Sequence, residues 1–306
     1  MTWDPHTLPD LSGRVFAVTG ATAGIGYFAA EQLAAAGAHL VLLGRSPQKL
    51  AAAERAVVEN VPAATVSSTV VDLAALSSIP AAAARLAELP ALDGVFLNAG
   101  PDATVRGTTA DGFPLHLGIH AVGNVALASA VLPLLSRTAE QQGTRARLVF
   151  ASTGFVRRIS VSLDDLLRVP RPSLIAYIKA KTALEVYAYE LDRRLRADGT
   201  PVDSIVSIPG VGVDAKTPTR AGIRDASTHF QRNPFTPWAQ GKDTAAWSAV
   251  RAITDPAAVG GECYGPAGAF HGVPKRIEPV AHTARIGEHE ARRITHELTG
   301  LAERAR

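Results

Sequence analysis

The sequence has few of the residues that build disulfide frameworks or metal centres. It contains one cysteine, Cys263, in 306 residues, which excludes an intramolecular disulfide framework and a cysteine-based zinc site. Its nine histidines are dispersed, and no His-Glu-x-x-His or similar spacing occurs. We therefore predict no metal, and we expect a reducing, cytoplasmic location.

Several targeting and binding signals are also missing. Residues 1–6 have neither a basic leader nor an apolar core, so we expect no secretory signal. The longest apolar run, residues 125–135, is too short to span a bilayer and contains Pro133, so we predict a buried helix and no membrane span. The pI is about 9.2, but the basic residues are scattered, so we predict no nucleic-acid partner.

What is present is an ordinary globular composition, 47% hydrophobic and 19% charged. No internal repeat or low-complexity linker divides the chain. We predict a single domain over residues 1–306.

Two residues in one predicted helix suggest proton chemistry. Tyr177 and Lys181 are four residues apart in the stretch 173–184, so both lie on one helix face. A free phenol titrates near about pH 10, and a neighbouring ammonium lowers that pKa, so the phenol can exchange a proton near neutrality. Taken alone, the pair is better explained by a core tyrosine and a solvated lysine.

A glycine cluster near the start of the chain changes this assessment. Residues 19–26 (TGATAGIG) follow an apolar, strand-like run at 14–18 and precede an alanine-rich helical segment at 27–36. In such a turn Gly20 permits the bend, Gly24 lets the backbone approach a pyrophosphate, and Gly26 allows the helix to pack on the strand. The position between strand and helix predicts a dinucleotide site.

The second predicted strand, residues 38–43, indicates which dinucleotide binds. A cofactor with a free ribose 2′-hydroxyl usually meets an acid about 20 residues after the glycine turn. No Asp or Glu occurs between Glu31 and Glu54, and Arg45 lies where a 2′-phosphate would arrive. We predict NADP(H) rather than NAD(H). The alternative is that Arg45 only caps a loop.

Strand and helix signals continue to alternate along the chain. Further strands are predicted at 65–71, 94–97, 147–151 and 204–208, with helices at 75–89 and 242–253. This alternation predicts an α/β fold with one doubly wound parallel sheet, a Rossmann fold, with helices on both faces. The candidate polar residues follow the carboxyl ends of strands, where such sheets bind ligands.

In these motifs the chain resembles the short-chain dehydrogenase/reductase family over about residues 10–275. The motifs are TGATAGIG at 19–26, Asp72-Leu73, LNAG at 97–100, Ser152-Thr153, YIKAK at 177–181 and Pro209-Gly210. An insertion at 157–171 and the segment 261–266 resemble the retinol-dehydrogenase and protochlorophyllide-reductase-like branch. Members of that branch are mostly NADP(H)-dependent and act on carbonyls or alcohols of apolar substrates.

The resemblance implies residue roles. Tyr177 would be the general acid/base, and Lys181 would lower its pKa and bind the nicotinamide ribose. Thr153 aligns best with the family's catalytic serine, with Ser152 as the alternative, and His120 aligns with a relay asparagine. The implied cofactor-binding residues are Gly20, Thr22, Ala23, Gly24, Ile25, Gly26, Arg45, Asp72, Leu73, Asn98, Ala99, Gly100, Tyr177, Lys181, Pro209, Gly210 and Val211.

Three residues depart from the family pattern: His120 for asparagine, Thr153 for serine and Val213 for the usual threonine. Histidine could take part in a proton relay, or it could be a buried helix residue without a chemical role. Asn124 could supply the relay amide instead if the register shifts.

Two regions outside the motifs carry structural expectations. Residues 211–240 are irregular and proline-interrupted, and we predict a substrate lid whose aromatics, Phe230, Phe235 and Trp238, form an apolar underside; a surface loop is the alternative. Residues 282–306 form a predicted helical tail for packing or subunit contact.

The leading hypothesis is an NADP(H)-dependent oxidoreductase of an apolar carbonyl or alcohol, and the resemblance implies a homodimer or homotetramer. The alternative is an NADP-binding protein with weak or no turnover, acting as a sensor or as a partner in a biosynthetic complex, because the relay residues are altered. A third hypothesis, an epimerase or dehydratase, is disfavoured by the spacing of the glycine motif.

Overall fold

The structure, a computed structural model, describes residues 3–304, so two residues at each end of the predicted domain lie outside the described part. One eight-stranded sheet has the order β3-β2-β1-β4-β5-β6-β7-β8. The strands are β1 Val15–Thr19, β2 His39–Gly44, β3 Thr65–Val70, β4 Gly94–Leu97, β5 Ala146–Ala151, β6 Val202–Ser207, β7 Cys263–Gly268 and β8 His271–Ile277. The predicted doubly wound sheet is confirmed.

The strands that precede the candidate site are covered on both faces. Every residue of β1, β4 and β6 is buried, as expected for near-continuous apolar runs in a parallel sheet. By contrast β3, at one edge, is polar and partly exposed. The buried strands therefore form a rigid base for the loops at their carboxyl ends.

Helices cover both faces of the sheet. They are α1 Gly24–Ala35, α2 Pro47–Asn60, α3 Ile79–Ala87, α4 Asn124–Gln142, α5 Ser173–Ala197, α6 Lys242–Thr254, α7 Ala281–Ala284 and α8 Glu288–Glu303. One apolar core contains side chains of α3, α4, α5 and α8, and the other contains those of α1, α2 and α6. The predicted helix 75–89 is replaced by a 3₁₀ turn, Leu76–Ser78, and the shorter α3, which has a proline near its start.

The sheet ends in a hairpin that the sequence patterns did not predict. β7 continues the parallel sheet beside β6, whereas β8 pairs antiparallel with β7. Pro266 and Pro274 face each other across this hairpin, which is tolerated because prolines occur at sheet edges. Glycine and proline in Cys263–Gly268 had obscured the strand signal.

The apolar run at 125–135 belongs to a longer helical segment. A π-helix, Leu117–Gly123, leads directly into α4. Within residues 3–304, this segment, Leu117–Gln142, has the length and apolar composition to cross a membrane, and 67% of its most apolar window is buried inside the protein. Packing against α5 and α8 matches the buried helix that was predicted.

The tail is helical, as α7 and α8. Ala291, Ile294, Leu298 and Leu301 of α8 are buried against the core that contains α4 and α5. The predicted tail residues 305 and 306 lie outside the described part.

Candidate active site

The predicted site residues follow six neighbouring parallel strands and lie at one edge of the sheet. The glycine turn follows β1, Arg45 follows β2, Asp72 and Leu73 follow β3, and residues 98–100 follow β4. Ser152 and Thr153 follow β5, and residues 209–211 follow β6. Thr22, Ala23 and Ile25 lie within or just after the glycine turn. Because parallel strands end at the same edge, these loops surround one crevice.

The glycine turn has the shape that a phosphate needs. Gly24 has φ +55°, and a Cβ there would meet only the aliphatic part of Lys242, at 3.5 Å. A Cβ on Gly26 would lie 2.5 Å from the Gly20 carbonyl oxygen, so only glycine lets α1 approach β1. The start of α1 has no side-chain cap and no acid in its first turn.

Asn98 and Thr19 fix the two strands that border the crevice. The Thr19 hydroxyl accepts hydrogen bonds from the backbone N–H groups of Asn98 (2.9 Å) and Ala99 (3.0 Å). The Asn98 amide in turn donates to the Thr19 carbonyl at 3.1 Å. Asn98 therefore stabilises the junction between β1 and β4.

Tyr177 and Thr153 lie together, as the alignment had implied. The Thr153 hydroxyl is within hydrogen-bonding reach of the Tyr177 phenol. The expected lowering of the Tyr177 pKa is wrong for this structure, because burial raises that pKa and the hydrogen bond from Thr153 opposes the rise only in part. The phenol is therefore neutral at physiological pH.

Lys181 is bound to the backbone at the end of β5. Its ammonium donates to the Ala151 carbonyl oxygen at 2.6 Å, at the end of β5. Burial lowers the pKa of Lys181 to about 7, although the charge of Glu185 opposes the change. At neutral pH, Lys181 is thus only partly in its ammonium form.

Ser152 is directed away from Tyr177 and belongs to a buried network that the motifs did not reveal. Its hydroxyl donates to Glu185, one turn beyond Lys181 on α5, and Thr283 of α7 donates to the other carboxylate oxygen at 3.0 Å. Burial raises the pKa of Glu185 to about 7, against the two hydrogen bonds and the charge of Lys181. The two alternatives for the hydroxyl beside Tyr177 are thus separated, with Thr153 on the Tyr177 side.

Two stacked histidines flank Tyr177. The rings of His116 and His120 are 5.7 Å apart and nearly parallel, and their centroids lie 5.8 Å and 5.1 Å from that of Tyr177. His120 Nε2 bonds the Pro101 carbonyl at 3.1 Å, and its buried Nδ1 has no partner within residues 3–304. Burial holds the pKa of His120 well below its usual value, so the ring is neutral. The i, i+4 spacing of the two histidines was the sequence signal for His116.

Asn124 has a structural place in this region. Its amide donates to the carbonyls of Ile119 (2.9 Å) and His120 (3.1 Å), five and four residues earlier. These bonds satisfy carbonyl groups at the end of the π-helix. The amide that could have replaced the relay asparagine is therefore engaged with the backbone.

Residues 14–224 match the sequence profile of the family described as short chain dehydrogenase. The chain belongs to the short-chain dehydrogenase family. A mouse polyprenol dehydrogenase is 34% identical over 299 residues, which cover 94% of this chain and 84% of that protein. Human retinol dehydrogenase 13 is 30% identical over 204 residues, covering 66% of this chain and 60% of the relative. The chain is thus similar to oxidoreductases of the retinol-dehydrogenase-like branch.

A solved structure shows the same fold. An uncharacterised protein from Mycobacterium paratuberculosis superposes with a TM-score of 0.73 and 26% identity, over 97% of this chain and 97% of that one.

Short-chain dehydrogenases bind a nicotinamide cofactor, and the residues of this crevice fit one. The open left-handed Gly24 and the uncapped start of α1 form a cradle for a pyrophosphate. Arg45 is exposed, and within residues 3–304 its side chain makes no hydrogen bond or ion pair. The α2 cap is supplied by the Ser46 hydroxyl, which accepts from the Lys49 N–H, so the loop-capping alternative for Arg45 is not supported.

Residues 211–240 cover the glycine-turn side of this crevice. Arg220 forms a bidentate ion pair with Glu31 of α1, with N···O distances of 2.7 and 2.8 Å. Gln231 donates to Asp102, beyond β4, at 2.5 Å, and Lys242 pairs with Asp214 at 2.6 Å. Phe230, Phe235 and Trp238 are 44%, 40% and 60% exposed, and Phe235 stacks on Phe270 at 6.4 Å. The substrate lid with an apolar underside stays a prediction.

An apolar cavity of about 260 Å³ opens beside Thr153. Its wall includes Phe155, Ile208, Val211 and Phe270. Gly210 has φ +73°, and a Cβ there would meet the Phe270 carbonyl at 2.5 Å, so glycine is needed for the close approach of these two loops. Within residues 3–304, no group of three or more His, Cys, Asp or Glu is arranged to hold a metal.

Proposed function

We propose that the chain is an NADP(H)-dependent oxidoreductase that interconverts a carbonyl and an alcohol by hydride transfer, with Tyr177 as the general acid/base. The observation that carries this proposal is the Thr153 hydroxyl, which lines a largely apolar cavity and lies close enough to the Tyr177 phenol to oppose the rise of its pKa. The crevice that contains the glycine turn lies at the same sheet edge.

The side chains around the cavity support carbonyl reduction in particular. Thr153 can donate a hydrogen bond to the substrate oxygen, and Tyr177 can give that oxygen its phenolic proton. Burial keeps the pKa of Tyr177 raised, so the phenol carries the proton that reduction requires. When bound, a reduced nicotinamide supplies the hydride. The protein supplies position and the proton.

The substrate we propose is an apolar carbonyl or alcohol. The cavity beside Thr153 has largely apolar walls, with Arg157, Arg158 and Lys275 also lining it. The similar mouse protein is named polyprenol dehydrogenase. From the single cysteine we also propose a cytoplasmic location. From the family resemblance we propose a homodimer or homotetramer, which light scattering on the purified protein would test.

The test is NADPH oxidation across a panel of apolar aldehydes and ketones. Tyr177→Phe should lower kcat/KM by about 10³-fold, because it removes the proton donor. Tyr187→Phe is the matched control, since Tyr187 is a buried tyrosine on the same helix, and it should leave kcat/KM within about twofold. Equal activity of Tyr177→Phe and wild type would contradict the mechanism.

An NADP-binding protein with weak or no turnover is the second candidate. The observation that favours it is the altered catalytic side: neutral His120 lies against Tyr177, and Lys181 is bound to a backbone carbonyl. Val213, in place of the family's usual threonine, is buried. Fluorescence titration showing tight NADPH binding without turnover on any panel member would favour this candidate over the enzyme.

A further inference from the structure

A second cavity, larger than the one beside Thr153, has His116 in its wall. It has a volume of about 550 Å³ and is bounded by the loop after β4, the insertion before α5 and the first turns of α5. Its walls are largely apolar, with Leu115, Leu117, Leu166 and Ala176 among them. This volume is in the range that proteins use for small-molecule ligands. Val105 and Val169, at its edge, are 42% and 58% exposed.

The charge around this cavity has one sign. Arg106, Arg168 and Arg171 line it, and no Asp or Glu does. Within residues 3–304, none of these three guanidinium groups makes a hydrogen bond or an ion pair. The nearby Asp165 carboxylate is already bound to the backbone N–H groups of Leu167 and Arg168. Three guanidinium groups from two different loops, together with Lys179, thus line a largely apolar space, and no carboxylate of residues 3–304 lines it.

The helix beside the cavity adds to this positive potential. Ser173, the first residue of the 25-residue α5, lines the cavity. This end of α5 has no side-chain cap and no acid in its first turn. A long helix carries partial positive charge at its N-terminus and presents free N–H groups there. An anion placed at this end of the cavity would be stabilised.

His116 joins the cavity wall to the start of α5. It lines the cavity and is 4% exposed. Its Nε2 lies 3.1 Å from the Ser173 hydroxyl, which itself donates to the Val105 carbonyl. These contacts hold the loop after β4 against the first turn of α5.

From the apolar cavity, its three arginines and the start of α5 we infer that the cavity binds an anionic amphiphile, an apolar chain with a carboxylate or phosphate head. The head is held by Arg106, Arg168, Arg171 and the start of α5, and the chain lies on the apolar walls. This site is separate from the cavity beside Thr153 and goes beyond the proposed oxidoreductase function. Arginine suits both head groups because its planar fork binds two oxygens at once.

Titration calorimetry on the whole protein, below micelle-forming concentrations, tests this site without any catalytic readout. Dodecanoate, dodecyl phosphate and neutral dodecanol are the three probes. We expect at least one of the two anions to bind at least about tenfold more tightly than dodecanol, as charge-assisted contacts require. The stronger of the two anions identifies the head group. Failure of both anions to bind, or equal binding of dodecanol, would overturn the proposal.

Two variants locate the site. Arg168→Gln/Arg171→Gln should raise the Kd of the bound anion at least about tenfold and leave dodecanol unchanged. Ala176→Phe should weaken the binding of both anions by filling the space. The matched control is Arg55→Gln/Arg137→Gln, two exposed arginines on α2 and α4 that do not line the cavity. Equal losses in the control, or none in either cavity variant when both retain the wild-type melting temperature, would show that the anion binds elsewhere.

Discussion

The two sides of the crevice satisfy their polar groups in different ways. On the cofactor side, Arg45 is exposed and has no partner among residues 3–304, and the start of α1 has no side-chain cap. On the catalytic side, Lys181 is bound to Ala151, and Ser152 to Glu185. The cofactor side therefore has a charged group available to a ligand, whereas the polar groups of the catalytic side are hydrogen-bonded within the protein.

The two sides therefore control different properties of the protein, namely which ligand binds and at which pH a proton is held. Charges that await a ligand determine which ligand binds, because the contact forms only in the complex. Groups that are buried and already bonded determine at which pH a proton is held, because desolvation shifts their pKa values. Substitutions on the cofactor side should change cofactor preference, and substitutions on the catalytic side should change the pH profile.

Among the substitutions that test this division between the two sides, the one on the cofactor side should have the largest effect. Arg45→Ala should raise the Kd of NADPH about 30-fold, since a charged hydrogen-bonded contact contributes about 2 kcal/mol. NADH, which lacks the 2′-phosphate, should be affected by less than about twofold. Fluorescence titration of both cofactors measures this, with Arg55→Ala as the control. Equal losses for the two cofactors would mean that Arg45 does not contact the phosphate.

Glu185→Gln tests the catalytic side. The charge of Glu185 opposes the burial that lowers the pKa of Lys181 to about 7, so the carboxylate supports the ammonium in the range where both groups titrate. Without that charge the Lys181 pKa falls further, so the ammonium is lost at lower pH. The high-pH limb of carbonyl reduction should move down by about one pH unit.

The measurement is kcat/KM for reduction across pH, together with the NADPH and NADH affinities. Glu190→Gln is the control, because Glu190 is a buried acid on the same helix that is paired with arginines. If Glu185→Gln left the high-pH limb of kcat/KM unchanged, or altered the preference between NADPH and NADH, the proposed difference between the two sides would be wrong.

The smallest effect concerns His120. Its ring is neutral, since burial keeps its pKa far below the usual value, so it contributes no charge to Tyr177. His120→Asn should therefore keep kcat/KM for reduction within about threefold of wild type, or raise it. A collapse of activity with normal NADPH binding would show that the imidazole itself takes part in proton transfer.

The cofactor side was predictable because its signals are local. The glycine turn, the strand before it and the helix after it are adjacent in the chain, and the backbone geometry that Gly24 and Gly26 permit follows from their lack of a Cβ. The parallel, doubly wound sheet followed from strand–helix alternation. The β7–β8 hairpin was missed because its edge position tolerates prolines that usually interrupt strands.

The catalytic side was predictable in residue types but not in partners. Tyr177, Lys181 and Thr153 were identified by motif, but the environment that shifts the Lys181 pKa was not. Glu185 binds Ser152 and Thr283, which are 33 and 98 positions away in the chain. Neither separation matches a helix or strand period, so only the folded chain brings these residues together. The direction of the Tyr177 pKa was wrong for the same reason.

Gly100 and His120 depend on each other. A Cβ at position 100 would lie 1.9 Å from a ring carbon of His120, so no other residue fits there while the imidazole is present. A substitution of Gly100 that prevents folding when residue 120 is histidine should be tolerated better when residue 120 has a smaller side chain. The two positions therefore form an epistatic pair, and any evolutionary route that enlarges residue 100 must first replace the histidine.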